Sequence, residues 1–158
     1  MYGYNPPVQP GSVTGDGIAA ALASAGLSVA GRDVGWLTPL GKPASVQYAS
    51  SVPQPLTFPQ QQAVDAYLAT CGYTATYPMT TTAPATAAVG STVTVTADTG
   101  DATYTGPVDF YVGGVLQASP NAVNGVASCS VTSGSSGSVT VYGWVAAYGY
   151  DSATVTFQ

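Results

Sequence analysis

From Ser91 to its end the chain alternates apolar and small polar residues with a period of two, and glycine-containing turns interrupt it at short intervals. This alternation constrains the fold more than any other feature. Successive side chains of a strand point to opposite faces, whereas a helix needs a period of 3.6. Ser91-Thr92-Val93-Thr94-Val95-Thr96-Ala97 reads as a half-buried strand, with Val93, Val95 and Ala97 inward and the threonines outward. Pro107-Val108-Asp109-Phe110-Tyr111-Val112 repeats the pattern with Val108, Phe110 and Val112 inward. Gly113-Gly114 and Asn124-Gly125 are tight-turn dipeptides. Val115–Gln117, Val126–Thr132, Ser138–Val145 and Ala153–Phe157 supply further strands, and Thr80–Ala87 a lead strand. Seven short strands at this spacing predict an antiparallel β-sandwich.

The first half has a different grammar. Residues 1–78 hold nine of the 12 prolines and both cations, Arg32 and Lys42. Two helices are expected there. Asp16 reads as the N-cap of one through Ala25, with Gly26 as its left-handed stop. Thr57-Phe58-Pro59-Gln60 reads as a capping box opening the other, which places Val64, Tyr67, Leu68 and Cys71 on one face and ends at Gly72. The segments Leu22–Leu27 and Leu68–Tyr73 look alike, through either a repeat or shared helix-ending chemistry. Ala44–Tyr48 reads as a strand within a proline-rich arm. Val34, Trp36, Leu37, Leu40 and Tyr48 must also leave water. Either they bury against a partner, or the region is a small irregular α+β domain that satisfies itself. The expected fold class is therefore mainly β: a sandwich over 79–158 preceded by a small, Pro-rich, partly helical region over 1–78.

Charge excludes several functions. Only 6% of residues are charged, seven of them aspartate, and there is no histidine. Two cations cannot neutralise a phosphate backbone or grip an anionic membrane, so neither nucleic acid nor membrane is an expected partner. Without histidine, the common triads and imidazole metal sites are absent. No enzyme activity, metal or cofactor is expected. Cys71 and Cys129 are too few for a disulfide framework. Asp98 and Asp101 read as a solvated turn, since calcium needs six to eight oxygens. With 46% apolar residues the chain still affords a core. A start at Met1 without a basic-then-apolar leader is read as cytoplasmic synthesis.

The second half resembles a known family. Gly106-Pro107-Val108-Asp109-Phe110-Tyr111-Val112-Gly113-Gly114-Val115-Leu116 is similar to the G-x-V-x-F-Y-x-G-G-x-x-L hairpin of bacterial and phage Ig-like repeat domains. Val89-Gly90-Ser91-Thr92-Val93-Thr94-Val95-Thr96-Ala97 resembles their opening V-G-x-x-V-T-V-T-A. Asn124-Gly125-Val126-Ala127, leading to Val131, resembles their N-G-x-A-x-x-x-V strand; Gly137–Gly149 fits the next-to-last strand loosely. The layout resembles head decoration proteins of tailed phages, in which an N-terminal part docks and an Ig-like domain projects.

That resemblance implies a structural protein of the virion, made in the host cytoplasm and sitting on the capsid surface. Its partner would be the major capsid protein or another virion protein, with a weak cell-surface glycan contact and a homo-oligomer on the particle as further expectations. A tail or vertex appendage and a cell-surface adhesin fragment are the alternatives. The expected docking residues are Tyr2, Tyr4, Ile18, Leu22, Trp36, Leu37, Val64, Tyr67 and Leu68. Strand alternation, with the two strands adjacent as in Ig-like domains, also turns Tyr111, Tyr142 and Trp144 outward as one aromatic patch. Tyr148 and Tyr150 are further aromatic contact candidates.

Overall fold

The structure, a computed structural model, describes residues 3–5, 12–38 and 44–158. Tyr2, Leu40 and Lys42 lie outside these residues. The chain is mainly β and divides into two compact units, Met1–Thr76 and Tyr77–Gln158, each with its own hydrophobic core.

The first unit runs β1 (Gly3–Asn5), α1 (Gly15–Ser24), β2 (Val34–Leu37), β3 (Ser45–Tyr48), α2 (Phe58–Thr70) and β4 (Thr74–Thr76), with a 3₁₀ turn at Gly31–Asp33. Strand β1 pairs antiparallel with β4, and β2 with β3. A bridge links the two pairs: Tyr4 N–H donates to Ala44 O at 2.9 Å, and Ala44 N–H returns the bond at 3.1 Å. The α1 cap differs from expectation. Thr14, in an extended conformation, caps the helix, and its Oγ1 accepts the Gly17 N–H at 3.0 Å. Asp16 stands inside the first turn, where a carboxylate favours the positive helix end. The early start requires small residues. A Cβ on Gly15 would fall 2.2 Å from the Gly31 carbonyl oxygen, and one on Gly17 would fall 2.2 Å from the Tyr67 hydroxyl.

The α2 capping box forms as read, with the Thr57 N–H donating to Gln60 Oε1 at 2.9 Å. Both helices end in the same motif. Leu27 N–H reaches Leu22 O and Gly26 N–H reaches Ala23 O; Tyr73 N–H reaches Leu68 O and Gly72 N–H reaches Ala69 O. Gly26 and Gly72 have φ of +82° and +86°, the left-handed value this cap needs. Shared capping accounts for the likeness between the two segments.

The second unit continues with β5 (Thr80–Thr82), β6 (Thr86–Ala87), β7 (Thr92–Asp98), β8 (Asp109–Val112), β9 (Val115–Ala118), β10 (Val126–Thr132), β11 (Gly137–Val145) and β12 (Gly149–Phe157). One sheet has the order β10-β7-β5, the other β6-β12-β11-β8-β9. Pairing is antiparallel except between β6 and β12. The two sheets share a single core of Val93, Val95, Ala97, Ala127 and Val131 from one and Val108, Phe110, Val141, Val155 and Phe157 from the strands of the other and their approaches. Fully burying a side chain such as Phe110 stabilises by roughly 1.5–3 kcal/mol.

The lead strand, read as continuous over Thr80–Ala87, is broken. Its first part joins the three-stranded sheet and its second the five-stranded one, with Ala83-Pro84 at the switch. Pro84 has no N–H to offer a ladder. The free edge of β5 is closed by a polar clip: Thr81 N–H donates to Asp151 Oδ2 at 2.7 Å, and Thr81 Oγ1 donates to Asp151 O at 3.1 Å. Strand β12 starts at Gly149, four residues before the expected Ala153. Positive φ at both Gly113 and Gly114, and at both Asn124 and Gly125, gives the two expected I′-type turns.

Candidate functional site

The structure places most of the expected docking residues of the first unit in that unit's own core. Ile18, Leu22, Val64 and Leu68 are wholly enclosed, and Tyr4 is 3% exposed. These five hold the domain together, so they would serve docking only through the fold they build. Tyr67 is half-buried, its ring over Gly17 and its hydroxyl accepting the Thr14 N–H at 3.2 Å. Trp36 is half-buried between Tyr4 (centroids 5.5 Å apart) and Tyr73 (4.9 Å, edge-on). Leu37, at the end of β2, is 50% exposed and remains available. Tyr2 lies outside the described residues. The unit therefore satisfies most of its own apolar groups, the second of the two readings of this region.

That core also encloses a polar cluster that periodicity does not reveal. Tyr4 OH donates to Asp65 Oδ1 at 2.6 Å, and Gln61 Nε2 donates to the same oxygen at 2.9 Å and to Tyr4 OH at 3.1 Å. A buried carboxylate is tolerated when such donors replace water.

The second unit brings its nominated aromatic residues together. In the β11–β8 register Tyr142 stands opposite Tyr111, and Trp144 opposite Asp109. In the β11–β12 register Trp144 also faces Tyr150. All four aromatic residues are half-buried, on the face of the five-stranded sheet opposite Val141, Gly143 and Val145. Tyr150 packs edge-on against Tyr142 at 6.1 Å and meets Tyr77 in a tilted contact at 5.0 Å. Tyr77, the first residue of this unit, thereby joins the aromatic group. Tyr148 has another role: its hydroxyl donates to Asp101 Oδ2 at 2.6 Å while its ring meets Tyr104 edge-on at 5.2 Å.

Each carboxylate of this unit has a local donor. Asp98 Oδ1 accepts from Gly100 N–H at 2.8 Å, and Asp101 Oδ1 from Thr103 N–H at 2.9 Å and Thr103 Oγ1 at 2.6 Å. Asp109 accepts from the Ser119 hydroxyl, and Asp151 from Thr81. The Asp101 pKa is lowered, first by the Thr103 hydroxyl and then by Tyr148. Burial first, and the Asp109 charge second, raise the phenol pKa values of Tyr104 and Tyr111. Both phenols therefore stay protonated beside Asp109 near neutral pH.

Among the described residues no three metal-ligating side chains converge, and no helix is long and apolar enough to cross a membrane. Both cysteines are free thiols; burial pushes Cys129 up to about 11, away from the nucleophilic thiolate. No protein-family model matches the chain, and no match to a curated protein was found.

Proposed function

We propose that the chain is a non-enzymatic structural protein of a phage head, which docks on the major capsid protein or another virion protein through its N-terminal unit and displays an Ig-like β-sandwich. The strand order of the second unit carries this reading. With β5 as strand A, the three-stranded sheet reads A-B-E and the five-stranded sheet reads A′-G-F-C-C′. A GFC sheet extended by C′ facing a sheet that contains A, B and E supports an Ig-like reading; strands D and C″ of variable-type Ig domains have no counterpart among the described strands. The sheet order fits the G-x-V-x-F-Y-x-G-G hairpin resemblance, since that hairpin is β8–β9.

The surface chemistry supports display in a crowded array. Hydroxyl pairs rather than charges dress the outer faces. Thr92 meets Thr132 at 2.9 Å and Thr96 meets Ser128 at 3.2 Å on one sheet; Ser138 meets Thr156 at 3.1 Å and Thr140 meets Thr154 at 3.0 Å on the other. Such pairs stabilise strand registry without charge repulsion between neighbouring copies. Docking falls to the outside of the first unit, with Leu37 as its exposed large apolar residue among those described.

Fractionation of the source culture into cells, medium and sedimentable particles, with mass spectrometry of each, tests the reading. Recovery in particles at a high, fixed ratio to the major capsid protein supports decoration. A few copies per particle would reassign the chain to a tail or vertex appendage. Recovery with cell envelopes and none in particles would refute the phage assignment and favour an adhesin.

A further inference from the structure

Beside the aromatic face, Tyr104, Pro107, Trp144, Ala146 and Ala147 line a cleft of about 270 Å³, with Asp109 on its wall. The β11–β8 register puts Trp144 directly opposite Asp109. Ser119 is the sole donor to Asp109 among the described residues. An ionised carboxylate has about four lone-pair sites, so most of its accepting capacity is left for a ligand. Tyr104 has its hydroxyl proton committed to the Pro107 carbonyl at 2.7 Å. The cleft thus offers an apolar, partly aromatic wall and one anionic acceptor. The second unit has no cation of its own to meet that acceptor, because Arg32 and Lys42 both belong to the first.

We propose that this cleft receives an arginine side chain of a partner protein. The guanidinium is planar and weakly hydrated, stacks on an aromatic face, and presents a fork of donors to a carboxylate. Lysine, a compact and strongly hydrated charge, exploits the flat wall less well. A saccharide fits less well again, because its many hydroxyls each need a partner and the lining supplies few. The inference goes beyond the display reading and does not depend on which particle, if any, carries the protein.

The test titrates the full chain, ¹⁵N-labelled, with N-acetyl-arginine methylamide and follows the two indole N–H resonances. The Trp144 signal should shift saturably in the millimolar range while that of Trp36, in the other unit, stays fixed. N-acetyl-citrulline methylamide has nearly the same shape without the charge and should bind about tenfold more weakly or worse. Asp109→Asn should weaken the arginine probe about tenfold, whereas Ser119→Ala, which keeps the carboxylate, should retain binding. An unsaturable Trp144 response, equal binding of the citrulline probe, or undiminished binding by Asp109→Asn would overturn the proposal. A shift produced by a methyl glycoside in place of the arginine probe would overturn it too, and would make the cleft a sugar site. The citrulline comparison uses the unaltered protein, so it decides the matter even if a variant fails to fold.

Discussion

Gly143→Ala is a perturbation whose sign, not merely its size, discriminates. Gly143 sits on β11, facing the shared core of the second unit, where an added Cβ would lie 2.7 Å from Ala97 Cβ and 3.0 Å from Thr81 Oγ1. Met79 Cε, at 3.6 Å, is the flexible end of a side chain and yields cheaply. Ala97 Cβ is fixed to the backbone of the facing sheet, so relief requires the sheets to part by a few tenths of an ångström. Overpacking of this kind costs typically about 1–3 kcal/mol. Intrinsic preference opposes it, since glycine inside a strand is worse than alanine by roughly 0.5–1 kcal/mol. The steric cost wins, leaving a net destabilisation of about 1 kcal/mol, or a Tm lowered by roughly 4–8 °C for a unit of this size. Each unit carries one tryptophan, so thermal unfolding followed at the two indole N–H resonances reads the units separately. The Trp144 signal should be lost at lower temperature while the Trp36 signal holds. In an Ala97→Gly background the same substitution should cost measurably less, because its main obstacle is gone. A stabilised Gly143→Ala protein, or a cost unchanged by Ala97→Gly, would refute the close packing of the sheets at this point.

Other perturbations probe the polar groups. Tyr4→Phe removes a donor from buried Asp65 and should destabilise the first unit by about 1–3 kcal/mol, read at Trp36 by urea titration. The Tyr148–Asp101 bond should weaken at both ends of the pH range. The Asp101 pKa is lowered on folding, so its stabilisation is present above the ordinary carboxylate range and is lost as pH falls through the depressed value. The Tyr148 pKa is raised, first by its bond to Asp101, so that contribution persists below the ordinary phenol range and is lost as pH rises through the raised value. Tyr148→Phe should flatten the acid limb of Tm against pH for the second unit, and an unchanged limb would argue against the bond. Ellman's reagent at pH 8 should titrate one thiol per native chain, half-exposed Cys71, and two after denaturation, because Cys129 is buried and its pKa is pushed up to about 11. Gly125→Ala should prevent the second unit from folding well, since φ is +82° and a Cβ would fall 2.4 Å from the Asp101 carbonyl oxygen; circular dichroism would show it.

Most of the second unit was legible because its signals are local and redundant. Alternation fixes which face of β7, β8 and β10 is buried, and the Gly113-Gly114 turn closes the β8–β9 hairpin, pairing Val112 with Val115. The aromatic face followed from alternation together with the strand adjacency that the Ig-like resemblance implies. The break between β5 and β6 has a local signal in Pro84, but which sheet each half joins depends on partners far away in sequence, such as Asp151, about 70 residues from Thr81. The Asp109 cleft escaped for a similar reason. Tyr104 and Ala146 lie far apart in sequence and outside the strands, where periodicity carries no information. In the first unit the helix signals read well, yet the Thr14 cap was passed over for Asp16. Both types are good caps, and what decides between them is the contact of Gly15 with Gly31, invisible to local rules.

The expected docking residues divide by burial. Ile18, Leu22, Val64 and Leu68 are apolar and periodic, those two properties identify the face a helix buries, and here α1 and α2 bury theirs in a common core. A contact residue must escape that periodicity, standing where the fold cannot enclose it. Leu37 does so: in β2 its neighbours alternate inward at Val34 and Trp36, and the strand ends with Leu37 half in water. If the first unit is the docking element, Leu37→Ser should abolish or greatly weaken particle association while leaving the Trp36 unfolding transition nearly unchanged, since an exposed side chain contributes little to the core. Leu22→Ala should do the reverse and cost about 2–5 kcal/mol of stability. Its effect on association would then follow only from unfolding, and would disappear in solvent conditions that restore the fold. Sedimentation of particles with each variant separates the two roles. Association that survives Leu37→Ser would move the docking surface away from the β2 end and out of the described apolar residues of this unit.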